Sequence, residues 1–114
     1  MEINVEAEKQ AILKDYRQLL RLAQPRMKKG DDKRIRHAFE LAVDAHKHMR
    51  RKSGEPYIHH PIEVMEIVSS VPHTEDMLAA ALLHDTIEDT PVTQEDINRE
   101  FGPTIAKLVM ELTD

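Results

Sequence analysis

Apolar side chains at Ile12, Tyr16, Leu19, Leu20 and Ala23 recur at three- and four-residue steps, predicting a first helix that Pro25 and Gly30 then punctuate. Asp31 or Asp32 caps a second, in which Ile35, Ala38, Phe39, Ala42, Ala45, His46 and Met49 mark one face and charged residues the other. Periodicity is lost through RRKSGEPYIHH, which holds Gly54 and Pro56, and Pro61 opens a third helix where its missing N–H costs nothing. Val64, Met65, Ile67, Val68 and Val71 line that helix, and Pro72 stops it. With Thr74 as cap, a fourth helix reads MLAAALL from Met77 to Leu83, apolar on every side, the pattern of a helix in the middle of a bundle. Thr93 and Asp96 form a capping box for a short fifth helix closed by Gly102, and Pro103 begins a sixth through Ile105, Leu108, Val109 and Leu112. The expectation is an all-α bundle of about six helices with no substantial sheet.

Composition narrows what such a bundle does. Its 114 residues suffice for one modest core, and 40% hydrophobic with 32% charged residues suits a helical globule rather than a disordered chain. No apolar run reaches bilayer length and the polar start MEINVEAEKQ is no signal peptide, so a cytoplasmic, non-membrane protein is expected. The absence of cysteine excludes disulfides, thiolate metal sites and a cysteine nucleophile together. Any metal must therefore sit on histidine and carboxylate. Twenty-one acids against 16 bases give a formal charge of −5, which disfavours direct nucleic-acid binding.

Four polar residues, His84, Asp85, Glu88 and Asp89, follow directly on the buried run, where leaving them unpaired is expensive. Adjacent residues on a helix diverge by about 100°, close enough for His84 and Asp85 to reach one ion at a helix end or kink. Glu88 and Asp89 each lie four residues after one of that pair, so each acid stacks over one candidate ligand. His60, beside Pro61, is the best further ligand in the chain. His59 would point elsewhere, and His37, His46, His48 and His73 read as ordinary surface or core histidines. An imidazole and carboxylate set without sulfur suits manganese, magnesium or iron better than structural zinc. Such an ion acidifies water, and Glu88 or Asp89 is placed to take the proton. A solvated acidic helix end is the competing reading of those two acids. Arg50, Arg51 and Lys52, followed by Ser53 and Gly54, supply cations on a flexible turn for a nucleotide's phosphates or base, with a solvated basic loop as the alternative.

The motifs RRKSGEPYIHHP, ALLHDTIEDT and EDINREFGP resemble, in order and spacing from about Arg34 to Thr113, the hydrolase domain of the RelA/SpoT homologues, an HD-type phosphohydrolase acting on the guanosine alarmones (p)ppGpp. The segment DYRQLLRLAQPRMKKGD resembles what precedes that domain in long bifunctional members. The resemblance implies a manganese-dependent enzyme that removes the 3′-pyrophosphate of ppGpp, with magnesium or iron as substitutes. It further implies His60, His84 and Asp85 as metal ligands, and Glu88 and Asp89 as the groups that activate or position water. Arg51 would pack on the guanine, Lys52 and Ser53 would lie near the phosphates, and Tyr57 would help to wall the pocket.

These expectations divide the chain into an N-terminal helical segment, residues 1–30, and a partial HD phosphohydrolase domain, residues 31–114. In the family a further metal-binding Asp, with an adjoining Asn, lies downstream of the segment seen here, and Asp114 is too early to replace it. Weak or absent hydrolysis is therefore expected of this chain, with the activity belonging to a longer, bifunctional parent. A homodimer through apolar surface left by missing helices is a further expectation. The alternative is a catalytically silent regulatory or nucleotide-binding helical module.

Overall fold

A computed structural model describes the backbone of residues 4–23 and 31–112 and the side chains of residues 4–21 and 33–112. The predicted break at Pro25 to Gly30, the side chains of Asp31 and Asp32 that would form the cap, and Asp114 lie outside the described residues. Seven helices follow in order among those described: α1 (Val5–Ala23), α2 (Asp31–Ala45), α3 (His59–Ser69), α4 (Glu75–Leu83), α5 (Thr86–Asp89), α6 (Gln94–Phe101) and α7 (Pro103–Leu112). The described residues include no strand, and Arg50 and Pro56 form an isolated bridge. The helix beyond the expected six is the single turn α5.

α4 is the axis of the bundle. Leu78 to Leu83 are each no more than 1% exposed, and α2, α3 and α7 pack around them. Alanines at 79, 80 and 81 present little side chain, so the neighbouring helices approach closely and fill the space with Ile35, Phe39, Ile62, Met65, Ile105 and Val109. α1 packs on α3 and adds Leu19 and Tyr16 to the same core, the Tyr16 ring stacked on Phe39 with centroids 3.9 Å apart.

Local signals set several boundaries as expected. The Thr74 hydroxyl accepts from the Met77 amide at 3.2 Å. Thr93 accepts from the Asp96 amide at 3.1 Å while Asp96 accepts from the Thr93 amide at 2.9 Å, completing the capping box. Gly102, at φ 92°, turns the chain from α6 into α7. Two boundaries differ. α2 ends at Ala45 rather than running on to Met49, because the chain turns at residues 46–48 to enter the basic loop. α3 begins at His59, so Pro61 lies in its first turn, where its N–H would have had no helical partner in any case.

Leu82→Ala should cost about 2–5 kcal/mol in urea denaturation, whereas Ile67→Ala, at a side chain 68% exposed, should stay within about 0.5 kcal/mol of the parent. Hydrogen bonds from the Thr93 amide, then the Arg99 guanidinium, hold the Asp96 carboxyl below its ordinary value of 3.8. A carboxylate lowered by folding stabilises above its unfolded pKa and loses that contribution as pH falls through the folded one. Asp96→Asn should therefore be less stable than the parent at pH 7, with the gap closing as denaturation is repeated below pH 3.8.

Candidate metal centre

The apolar run of α4 carries the next two residues to the inner end of the bundle. The α-helix stops at Leu83, His84 and Asp85 form the turn, and α5 restarts at Thr86. The four polar groups are thus not displayed along one continuous helix. The Asp89 amide still donates to the Asp85 carbonyl at 3.1 Å, so the four-residue relation survives the kink. Thr86 anchors the turn, its hydroxyl donating to the Leu83 carbonyl at 2.7 Å.

His60, from the first turn of α3, faces this corner. One ligand atom from each of His60, His84 and Asp85 lies within 4.8 Å of the others. His60 Nε2 is 3.4 Å from Asp85 Oδ2, and His84 Nε2 is 3.1 Å from Asp85 Oδ1. His84 and Asp85 are only 13% and 15% exposed, while His60 at 37% forms the open side.

Hydrogen-bond bookkeeping decides what the corner requires. His84 Nδ1 is 2.7 Å from the Ala81 carbonyl, which can only accept, so Nδ1 carries a hydrogen. The neutral ring then turns an Nε2 lone pair toward a carboxylate oxygen. Two acceptors facing each other need a cation between them, either a proton on the ring or a metal ion. Orientation of a histidine by a backbone carbonyl is also the usual outer support of a metal-ligating imidazole. The donor set fits a divalent ion.

Asp85 has a support of its own. The Tyr57 hydroxyl donates to Oδ2 at 2.7 Å, leaving Oδ1 to face His84. Burial first, and then this bond to Asp85, raise the phenol well above its ordinary 10.0, so Tyr57 stays protonated and donating throughout the neutral range. Tyr57 arrives by way of the basic loop, closed where its amide donates to the Met49 carbonyl at 2.9 Å and the Arg51 amide to the Glu55 carbonyl at 2.9 Å. Gly54 sits in this loop at φ 96°, a conformation L side chains rarely adopt.

The HD domain profile matches residues 38–114, about two thirds of the chain, and this span includes every residue of the corner. The chain belongs to the HD domain family. The chain is 44% identical over 94 residues to the bifunctional (p)ppGpp synthase/hydrolase SpoT of Escherichia coli K12, covering 82% of the chain and 13% of SpoT. It is 46% identical over 79 residues to the GTP pyrophosphokinase rsh of Brucella melitensis, covering 69% of the chain and 10% of that protein. Among solved structures, it superposes on a metazoan ortholog of SpoT that hydrolyzes ppGpp, with TM-score 0.67 and 38% identity over 71% of this chain and 48% of the ortholog. The chain thus spans about an eighth of the length of its bacterial relatives.

Within the HD domain the predicted residues fall into three groups. His60, His84 and Asp85 converge, with Tyr57 bonded to them. Glu88 and Asp89 lie on the exposed side of α5, outside the ligand group, although the Asp89 charge reaches both Tyr57 and His46. Arg51 is bound to Glu63 at 3.0 Å and Glu55 at 3.1 Å, while Lys52 and Ser53 are exposed at the loop tip, Ser53 donating to Glu55 at 3.2 Å.

His59 points away from the corner, as expected, and His46 is buried. His59 pairs through Nδ1 with Asp15 at 2.9 Å, tying α3 to α1. His46, read as ordinary, is 2% exposed and stands against Tyr57, with ring centroids 5.0 Å apart. A signal for it was available: His46 follows Ala42 by four residues and so continues, just past the end of α2, the apolar stripe that faces α4. Outer partners of ligands typically contribute about 10–100-fold to metal affinity. Tyr57→Phe should accordingly weaken Mn²⁺ binding about tenfold, and His84→Ala should abolish it, in titrations that follow the free ion by electron paramagnetic resonance.

Proposed function

We propose that this HD domain is the metal-holding part of a (p)ppGpp hydrolase, which cleaves guanosine 3′,5′-bis(diphosphate) to GDP and pyrophosphate, in a parent that also carries a synthetase. The observation that carries this reading is the convergence of His60, His84 and Asp85 beside a basic loop in an otherwise acidic chain. The relatives named as (p)ppGpp synthase/hydrolase and 3′-pyrophosphohydrolase support the substrate.

His60, His84 and Asp85 would hold the ion, with manganese the preferred occupant of a set made only of imidazole and carboxylate. When bound, the ion supplies Lewis acidity toward a phosphoryl oxygen and toward water. The chain's own residues do the rest. Arg51 leaves its exposed partners Glu55 and Glu63 to lie on the guanine face, a modest exchange because solvent-exposed ion pairs contribute little. Lys52 and Ser53 at the loop tip meet the phosphates. Tyr57 keeps Asp85 aimed and walls the pocket. Glu88 and Asp89, one turn beyond the ligands, orient the attacking water and accept its proton. Oxygen adds to the phosphorus next to the ribose, the bond from that phosphorus to the 3′-oxygen breaks, and the 3′-oxygen takes up a proton.

The test is pyrophosphate release from ppGpp with Mn²⁺ in this chain and in a version extended along the parent sequence. Turnover in the extended form should vanish with His84→Ala and fall about 10²–10⁴-fold with Asp89→Asn or Glu88→Gln, whichever is the proton acceptor. Arg51→Ala should raise KM more than it lowers kcat. Nucleotide binding without turnover in the folded, metal-loaded extended form would replace this reading with that of a silent regulatory module.

A further inference from the structure

His46 has no part in the chemistry above, yet its surroundings are those of a working group. It follows α2 in the turn that leads to the basic loop and is 2% exposed. Its ring begins a row of aromatic contacts that passes through Tyr57 to His60, at 5.5 Å between centroids, and on to His84, at 5.6 Å. The charges of Asp85 and Asp89 both reach it.

The two ring nitrogens are in different situations. Nδ1 lies 3.3 Å from Met49 Sδ. A thioether has no hydrogen to give, so this contact calls for a hydrogen on Nδ1 and leaves Nε2 as a lone pair. Nε2 is fully buried, and among the described residues no donor reaches it. The nearby donors are already committed, the Tyr57 hydroxyl to Asp85 Oδ2 and His84 Nδ1–H to the Ala81 carbonyl. Buried acceptors without donors are rare and destabilising, and packing alone would be met by phenylalanine or leucine.

We propose that His46 is a positioning residue of the metal centre: Nε2 accepts a hydrogen bond from a water molecule held between its ring and the carboxylates of Asp85 and Asp89, which fixes where Asp85 points. A water suits the place because it brings two hydrogens, one for Nε2 and one for a carboxylate oxygen. His46 is outside the ligand group, so it acts through Asp85 and not on the ion. The burial that holds its pKa below the ordinary 6.5 keeps the ring neutral and the lone pair available. The proposal rests on the reading of His60, His84 and Asp85 as ligands.

Three substitutions separate the two ring nitrogens. His46→Gln keeps a polar atom at the reach of Nε2, His46→Asn keeps one only at the reach of Nδ1, and His46→Phe fills the ring volume with neither. In the chain as it stands, Mn²⁺ affinity is followed by electron paramagnetic resonance, folding by thermal unfolding, and the His46 tautomer by nitrogen-15 NMR. We expect an unprotonated, hydrogen-bonded Nε2, Mn²⁺ affinity about tenfold weaker in His46→Phe and His46→Asn, and affinity within about threefold of the parent in His46→Gln. A protonated Nε2 would overturn the assignment. So would Asn retaining affinity where Gln loses it, equal affinity in all three, or losses that simply track thermal stability. A parent chain that binds Mn²⁺ no better than His84→Ala would instead overturn the ligand reading, and the positioning role with it.

Discussion

Burial of α4 governs the rest of the molecule. Six successive residues of this helix are at most 1% exposed, and the two that follow its end are still mostly buried. His84 and Asp85 are only 13% and 15% exposed, and their polar atoms must be matched within the protein or by an ion. The Ala81 carbonyl takes the His84 Nδ1 hydrogen, the Tyr57 hydroxyl donates to one Asp85 oxygen, and His84 Nε2 faces the other Asp85 oxygen at 3.1 Å. The same apolar packing that stabilises the fold thus creates the electrostatic demand that a cation answers.

Two further connections hold the open side of this corner. Arg50 forks onto both oxygens of Glu8 in α1, at 2.6 and 2.7 Å, and also donates to the Gly54 carbonyl in the basic loop. His59, next to His60, pairs with Asp15, about two helical turns further along the same face of α1. These contacts lie largely at the surface, so their contribution to overall stability is small. Their effect is on position: the loop bearing Arg51 to Tyr57 and the helix bearing His60 are both referred to α1, which shares the core through Tyr16 and Leu19. The basic cluster accordingly divides its labour, with Arg50 tied to α1, Arg51 paired to Glu55 and Glu63, and Lys52 exposed at the loop tip.

Legibility of the fold followed the range of the forces. Thr74, the Thr93 and Asp96 box, Gly102 and Pro103 act through hydrogen bonds and dihedral limits within a few residues, so the boundaries they set could be read directly. The end of α2 was not readable in this way. Ala45, His46 and Met49 keep the helical period, but the chain leaves the helix at Ala45 so that the Met49 carbonyl can pair with the Tyr57 amide across the loop. That bond joins residues eight apart and exists only once the loop is folded. The break at His84 and Asp85 is similar, since His84 keeps helical dihedrals and Asp85, at φ −91° and ψ −6°, departs from them mainly through ψ, a change no local residue signal announces.

The residue pattern alone determined the all-α class, the buried central helix and the restriction of any metal to histidine and carboxylate, and it singled out His60, His84 and Asp85 as candidates. Each of these follows from periodicity, from composition, or from a motif whose spacing is local. Tertiary structure decided which polar atoms meet. It brought Tyr57 to Asp85 across 28 positions, carried Arg50 to Glu8 across 42, and set the buried His46 ring against Tyr57. Contacts of that kind depend on how the helices pack and on which donors are already spent, and neither is encoded in the spacing of any one segment.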